Sequence, residues 1–429
     1  MLNRTASRGG SQLITLRMKQ ALLSFFTFFL ITVSVHAQQA LGYGSNLKSP
    51  EINPDGSVTL RFFSPKAVSV KVVGDFLPDA ASSKQNSQAQ SEYEMVQDSE
   101  GVWSFTSFPL EPELYSYYFV VNGERRDDPS NIYKIRDVVT WSDYFIVSRK
   151  ADDRGALYSI NNVPHGNISK IWYESPSIGS LRRMTVYTPA GYADKANRNR
   201  RYPVMYLLHG GGGDENSWSD LGRAAQIIDN LIASGEAEEM IVVMPNGNVD
   251  DAAAPGEWSL GLYQPTFFGN IPRDFHSKVS MEESFLDIVG YIDSHYRTIP
   301  ERNSRAICGL SMGGGQSYQI SMKYPSVFGW IGLFSAGFKM WEGDTRPELV
   351  SENSSPELQG AMASLFSYKP KLYYIGIGET DERLKYEKAL CEYFDRHDYG
   401  PYEFVATPGG HIWRNWRIYL SQFARQLFK

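Results

Sequence analysis

Gly309-Leu310-Ser311-Met312-Gly313 sets a serine between two glycines, each two residues away. A serine hydroxyl is a weak nucleophile at neutral pH and needs a neighbouring base to take its proton. A G-x-S-x-G turn serves such a serine by bending the chain so sharply that a Cβ at either glycine would clash, which lifts the hydroxyl clear of the backbone. The same bend opens a helix, whose free N–H groups and positive dipole end favour an oxyanion. This is a geometry for acyl transfer. Glycine and serine are common residues, so the motif needs partners. His411, after Pro408-Gly409-Gly410, is the candidate base, since the glycine pair permits a tight loop. Asp381 is the favoured acid to hold the imidazole tautomer, with Glu379 and Glu382 as the other carboxylates of the same loop. His209, His295 and His397 are read as structural.

An oxyanion hole needs two N–H donors. Met312, directly after the serine, supplies one. Leu207-Leu208-His209-Gly210-Gly211-Gly212-Gly213 offers the second, at Gly211. A phosphate-cradling role for that loop fails because no Gly-Lys-Ser/Thr follows it.

The elements that must position these groups are strands and helices in alternation. Ala306-Ile307-Cys308 is a strand leading into Ser311, and 314–324 reads as the helix after it. Val204 to Leu208, Ile241 to Met244 and Trp330 to Phe334 are short, fully apolar runs of the kind that form strands covered on both faces. Arg183 to Thr188 alternates. Helical spacing appears in Phe285, Ile288, Val289 and Ile292, and in Ala224, Ile227, Ile228 and Leu231. Leu372 to Ile377 and Tyr402 to Ala406 are strands that end at the acid and histidine loops, where open α/β sheets place their sites. The chain order serine, acid, histidine is that of an α/β-hydrolase.

The N-terminal part differs. From Leu41 to Val147 the chain reads as short strands over 57–63, 68–73, 101–105, 115–121 and 141–147, separated by turns such as Pro54-Asp55-Gly56 and Asn122-Gly123. This predicts an all-β, immunoglobulin-like sandwich, smaller than the catalytic domain. Ala80 to Ser91 is polar and reads as a loop. A polar stretch over 148–168 reads as a linker, and 169–429 as the α/β-hydrolase domain. Before all of these, Arg4, Arg8, Arg17 and Lys19 precede the apolar run Ala21 to Val33 and then Val35-His36-Ala37. Residues 1–37 therefore read as a signal peptide cleaved after Ala37, which predicts a secreted or periplasmic protein. The run is shorter than the ~20 residues a spanning helix needs, so no membrane association is expected after cleavage.

With 42% hydrophobic and 21% charged residues, the 429-residue chain is that of a globular protein of two domains. A net charge of −6 and the lack of a basic stripe argue against nucleic acid as a partner. Cys308 and Cys391 are the two cysteines, one in a strand and one in a helix, and are read as buried free thiols. Their spacing matches no zinc site, and nothing in the chain calls for a cofactor or metal. Residues 249–280 carry Pro255, Gly256, Gly261, Pro265, Gly269 and Pro272 among Trp258, Tyr263, Phe267 and Phe268. A loop so long in a compact domain is functional or disordered; as a substrate wall it offers Trp258 and Tyr263.

With these blocks assembled, 169–429 resembles carbohydrate esterase family 1, notably its bacterial feruloyl esterases. The likeness rests on Tyr206-Leu207-Leu208-His209-Gly210, Gly309 through Ser317, Gly378 to Asp381, and Gly409-Gly410-His411 with Trp413 and Trp416. It implies a triad of Ser311, Asp381 and His411, oxyanion donors at Gly211 and Met312, and hydroxycinnamoyl or acetyl esters of plant xylan as substrates, with Trp413 as a further substrate contact. Residues 49–147 resemble family 48 carbohydrate-binding modules through Gly101-Val102-Trp103 and Tyr115 to Gly123. Trp103, Tyr117 and Trp141 are read there as core rather than as a sugar-stacking face. The function expected is an exported serine esterase that removes ferulate from arabinoxylan. The alternatives are an acetyl-xylan or siderophore (enterobactin-type) esterase, and a carbohydrate-binding protein whose hydrolase domain is inactive.

Overall fold

The computed structural model describes residues 47–77, 92–254 and 277–429; the signal-peptide reading, the Ala80 to Ser91 loop, Trp258 and Tyr263 lie outside the described residues. Residues 47–429 form one compact unit. Its N-terminal part is a two-sheet β-sandwich. One sheet orders Glu51–Ile52, Val58–Phe63, Val102–Thr106 and Val96–Gln97. The other orders Glu92–Glu94, Val70–Gly74, Glu113–Val121, Thr140–Val147 and Lys134–Asp137, with Glu124–Arg126 paired on Glu113–Val121. Alternating apolar residues from both sheets, among them Val58, Leu60, Val72, Trp103, Tyr117, Phe119 and Phe145, fill the space between them. Trp103 and Tyr117 are core, as read from the sequence. Trp141 is not: it sits beside the turn of a hairpin, paired with Arg136, with 55% of its surface exposed.

The second part is an eight-stranded sheet among the described residues: β1 (Asn167–Ser175), β2 (Ser180–Thr188), β3 (Val204–Leu208), β4 (Ile241–Pro245), β5 (Arg305–Leu310), β6 (Trp330–Phe334), β7 (Leu372–Gly378) and β8 (Tyr402–Thr407). Their spatial order is β1-β2-β4-β3-β5-β6-β7-β8, antiparallel from β1 to β4 and parallel beyond. Strands β3 to β7 are buried at almost every position because helices cover both faces. The strand β1 has no counterpart in the sequence reading: it is a sheet edge, and its largely exposed first half carries no apolar alternation.

One face of the sheet packs against α3 (Met281–His295), α4 (Met312–Lys323), α5 (Pro356–Ser367) and α6 (Leu384–Arg396). Local chemistry starts these helices where they begin. Ser280 and Glu283 form a reciprocal capping box ahead of α3, and Ser355 caps α5 with Pro356 as its first residue. The other face packs against α2 (Ala224–Ala233), α7 (Trp413–Gln426) and the short α1 (Arg154–Tyr158). The stretch 148–168, read as a linker, holds α1, capped by Asp153 and with Tyr158 fully buried. Leu114, Ile135 and Tyr144 of the sandwich join Ile227 and Leu231 of α2 and Tyr419 and Phe423 of α7 in one apolar cluster. The sandwich therefore shares a core with the hydrolase layer. Both cysteines are free; Cys308 is buried, but Cys391 is only half-buried.

Candidate active site

The strand β5 delivers Ser311 to the first turn of α4 with φ 51° and ψ −112°. A non-glycine residue at positive φ costs of order 1–3 kcal/mol and persists only when its surroundings hold it there. Here they do. The Ser311 N–H donates to Phe334 O (2.8 Å), and Ser311 O accepts from Gly337 N (2.8 Å) and Gly315 N (3.0 Å). The flanking glycines are required by close approach. A Cβ on Gly313 would lie 2.5 Å from His209 O, and one on Gly309 would lie 2.6 Å from the Gly313 carbonyl carbon. The helix starts at Met312, two residues earlier than the sequence suggested, so the Met312 N–H is the first unbonded donor of α4.

Asp381 and His411 meet across two interlocked loops. His411 Nδ1 lies 2.7 Å from Asp381 Oδ2. The other oxygen, Oδ1, accepts from Arg383 N (3.0 Å) and faces Arg383 Nη1 at 3.4 Å. Burial pushes the Asp381 carboxyl up, but the hydrogen bond and charge of His411, with the Arg383 N–H, outweigh it and hold the group below its usual range. Its neighbours Glu379 and Glu382 are exposed, so among the three carboxylates Asp381 is the one turned inward. The loops fit because Gly378 has no side chain: a Cβ there would come within 2.4 Å of Gly409 O. Asn415 Nδ2 donates to Gly410 O (2.9 Å), and Trp416 stands edge-on to the His411 ring at 4.8 Å. Both lie on the first turns of α7, which grows directly out of the histidine loop. Among the described residues, Ser311 Oγ does not close a hydrogen bond to His411; such contacts are often long in a free enzyme.

The glycine loop lies on the other side of the serine. Gly213 N donates to Gly210 O (3.1 Å) and Gly212 has φ 75°, so Gly210 to Gly213 is a turn with Gly211 at its first central position. A Cβ on Gly210 would sit 3.5 Å from Ser311 Cβ, which places this turn beside Ser311. His209 anchors it. Its Nδ1 donates to Gly210 O (2.8 Å) and its Nε2 accepts from Gly247 N (2.8 Å), a pairing that fixes the neutral tautomer; burial lowers its pKa accordingly. Trp413 packs edge-on against Trp218 and Trp416 at 5.3 and 5.2 Å. Its side chain also faces the Asp137 carboxylate of the sandwich, where it partly offsets the rise that burial gives that group.

The sequence reading gave no part to Asn415 or Arg383; it quoted Trp416 only within the histidine block, and it read His209 as structural, which is the anchoring part that residue takes. Asn415 sits in the first turn of α7, four residues after His411, near enough in sequence for its amide to reach back to Gly410 O. Glu387 was missed too. Fully buried on α6, it accepts from Ala336 N (2.8 Å), and burial pushes it up to about 8, with the nearby Asp381 charge adding to the effect. Burial also raises the Cys308 thiol well above its usual value, which leaves it unreactive behind the serine. Among the described residues no cluster of His, Cys, Asp and Glu is built to hold a metal ion.

Compared with known proteins, residues 175–427 match the Esterase family and residues 43–135 match carbohydrate-binding module 48, the isoamylase N-terminal domain. The endo-1,4-beta-xylanase/feruloyl esterase of Xylanibacter ruminicola is 28% identical over 77% of this chain. The endo-1,4-beta-xylanase Y of Acetivibrio thermocellus is 24% identical over 68% of it. The chain spans less than half the length of these relatives, 41% of the first and 25% of the second. Among solved structures, the enterobactin esterase of Shigella flexneri superposes with a TM-score of 0.57, covering 87% of this chain and 92% of that one at 14% identity, a likeness of fold.

Proposed function

From a chain that belongs to the Esterase family and carries a module-48 domain ahead of it, we propose a serine esterase that hydrolyses feruloyl or related hydroxycinnamoyl esters on plant arabinoxylan. The observation that carries the mechanism is the buried Asp381 carboxylate 2.7 Å from His411 Nδ1, on the parallel part of the same sheet whose strand β5 leads into a serine held at positive φ. With Nδ1–H committed to Asp381, Nε2 is free to act as the base. Ser311 Oγ attacks the ester carbonyl as its proton passes to His411 Nε2. The N–H groups of Met312 and Gly211 receive the oxyanion. His411 then protonates the departing sugar oxygen, the C–O bond breaks, and the acyl group stays on Ser311. Water gives a proton to the same nitrogen as it attacks the acyl carbon; His411 then passes that proton to Ser311 Oγ as the acyl–oxygen bond breaks, which frees the acid and restores the serine.

The feruloyl preference is supported by the Xylanibacter ruminicola relative, whose name couples a xylanase to a feruloyl esterase. Trp258, Tyr263 and Trp413 are the aromatic residues assigned to the phenolic ring. Export, through a signal peptide ending at Ala37, belongs to the same reading, since arabinoxylan lies outside the cell. The fold likeness to an enterobactin esterase keeps a siderophore ester as the second reading. Release of acid from feruloylated arabinoxylan, acetylated xylan and a catechol siderophore, each with wild type and Ser311→Ala, separates them. Serine-dependent ferulate release is expected. Serine-dependent release only from the acetate or the siderophore would keep the mechanism and replace the substrate.

A further inference from the structure

The glycine turn beside Ser311 is fastened from outside its own domain. Arg136 lies in the sandwich strand Lys134–Asp137, yet its Nη2 donates to Oδ2 of Asp214, the residue directly after Gly213. The same guanidinium donates through Nη1 to Val138 O (2.7 Å), which locks the hairpin bend where Val138 has φ 54°. The second Asp214 oxygen accepts from Asn216 N (2.9 Å), and Asp214 N donates to Ser217 Oγ (2.9 Å). Asp214 is 1% exposed and the Arg136 side chain 15%, so the pair is largely dry. Next in sequence, Asp137 faces the side chain of Trp413, two residues past His411, which partly offsets the rise that burial gives its carboxyl. One sandwich hairpin thus touches both flanks of the site.

A run of glycines has no side chains to fix its path and wide φ/ψ freedom, so its course is set by its ends. The upstream end is fixed by β3 and by His209. The downstream end is Asp214. We propose that Arg136 is a positioning residue for catalysis: the sandwich hairpin, through the Arg136–Asp214 pair, holds the Gly210 to Gly213 turn so that the Gly211 N–H meets the oxyanion. This rests on Gly211 being the second donor. It gives the module-like domain a task in the chemical step, separate from any glycan binding.

The test uses the full chain and two soluble esters, an aryl acetate and methyl ferulate, with Ser311→Ala as the control. Loss of one oxyanion donor costs on the order of 100- to 1,000-fold in kcat, and a misplaced one costs less. Arg136→Ala is therefore expected to lower kcat roughly 10- to 100-fold on both esters, with KM within about twofold. Arg136→Lys keeps the charge without the fork and recovers part of the loss. Asp214→Asn in the Arg136→Ala background adds little, because the two act as a unit. A lower melting temperature with kcat unchanged would make the pair a simple fastening and overturn the proposal. So would a KM change confined to methyl ferulate, which would make the hairpin a substrate wall. Where Arg136→Ala does not fold, Arg136→Lys carries the same kcat comparison. If wild-type hydrolysis survives Ser311→Ala, the serine mechanism itself fails, an outcome distinct from an intact mechanism that ignores Arg136.

Discussion

Ser311 holds positive φ because its backbone is tied on three sides and its flanking glycines leave no room for a Cβ. Gly313→Ala pushes a methyl group into two backbone carbonyls, those of His209 and Leu208, that have nowhere to move. The variant is expected to lose about 3 kcal/mol or more of stability and nearly all ester hydrolysis, read by denaturant unfolding and initial rates. Asp381→Asn keeps the shape but removes the charge that orients His411 Nδ1–H. A fall in kcat of roughly 1,000- to 10,000-fold is expected with little change in KM. Because the folded Asp381 has a depressed pKa, its contribution to stability is present above the ordinary carboxylate range and lost as pH falls through the folded value. Acid unfolding curves of wild type and Asp381→Asn should therefore converge at low pH. At this scale the sequence was most readable where the signal is local. G-x-S-x-G and Gly-Gly-His announce themselves, whereas Arg136 and Asp214 lie 78 residues apart and carry no pattern.

Each of the three proposed catalytic groups hangs from the end of a parallel strand and the start of the element after it: Ser311 between β5 and α4, Asp381 between β7 and α6, His411 between β8 and α7. The buried strands and amphipathic helices were legible because burial on both faces or on one stripe imposes a hydrophobic period. The edge strand β1 and the five-residue α1 were not, since one is largely solvated and the other is fixed by tertiary packing. Helix α6 carries a hidden cost. Burial pushes the folded Glu387 carboxyl up to about 8, from an ordinary value of 4.5. Between those values the folded state keeps a proton that the unfolded chain has released, so stability declines as pH rises from about 4.5 to 8. Glu387→Gln is expected to flatten that slope and to raise the melting temperature at pH 8 relative to wild type. Equal slopes in the two proteins would show that Glu387 does not carry the proton.

Residues 47–429 form one compact unit because the sandwich and the hydrolase layer share apolar and ionic contacts. Arg417 of α7 reaches Glu113 Oε1 (3.1 Å), Leu114 O (3.3 Å) and Leu221 O (3.0 Å), all of them buried. Removing one partner of a buried ion pair costs about 3–5 kcal/mol. Calorimetry is expected to show a single cooperative transition for residues 47–429. A chain starting at 151 would strand Arg417 and Asp214 and expose the apolar face opposite Leu114, lowering the melting temperature by roughly 10 °C or more. Two well-separated transitions would contradict the shared core. The sequence suggested two domains joined by a linker, because polar residues over 148–168 look the same whether they bridge or pack.

The measurement that bears most directly on the whole account is covalent labelling by a serine-directed fluorophosphonate, followed by peptide mapping. A single adduct on Ser311, formed rapidly in wild type and slowed strongly in His411→Ala, is the expected result. A stoichiometric adduct on a different serine, or an active enzyme that leaves Ser311 unlabelled, would contradict it.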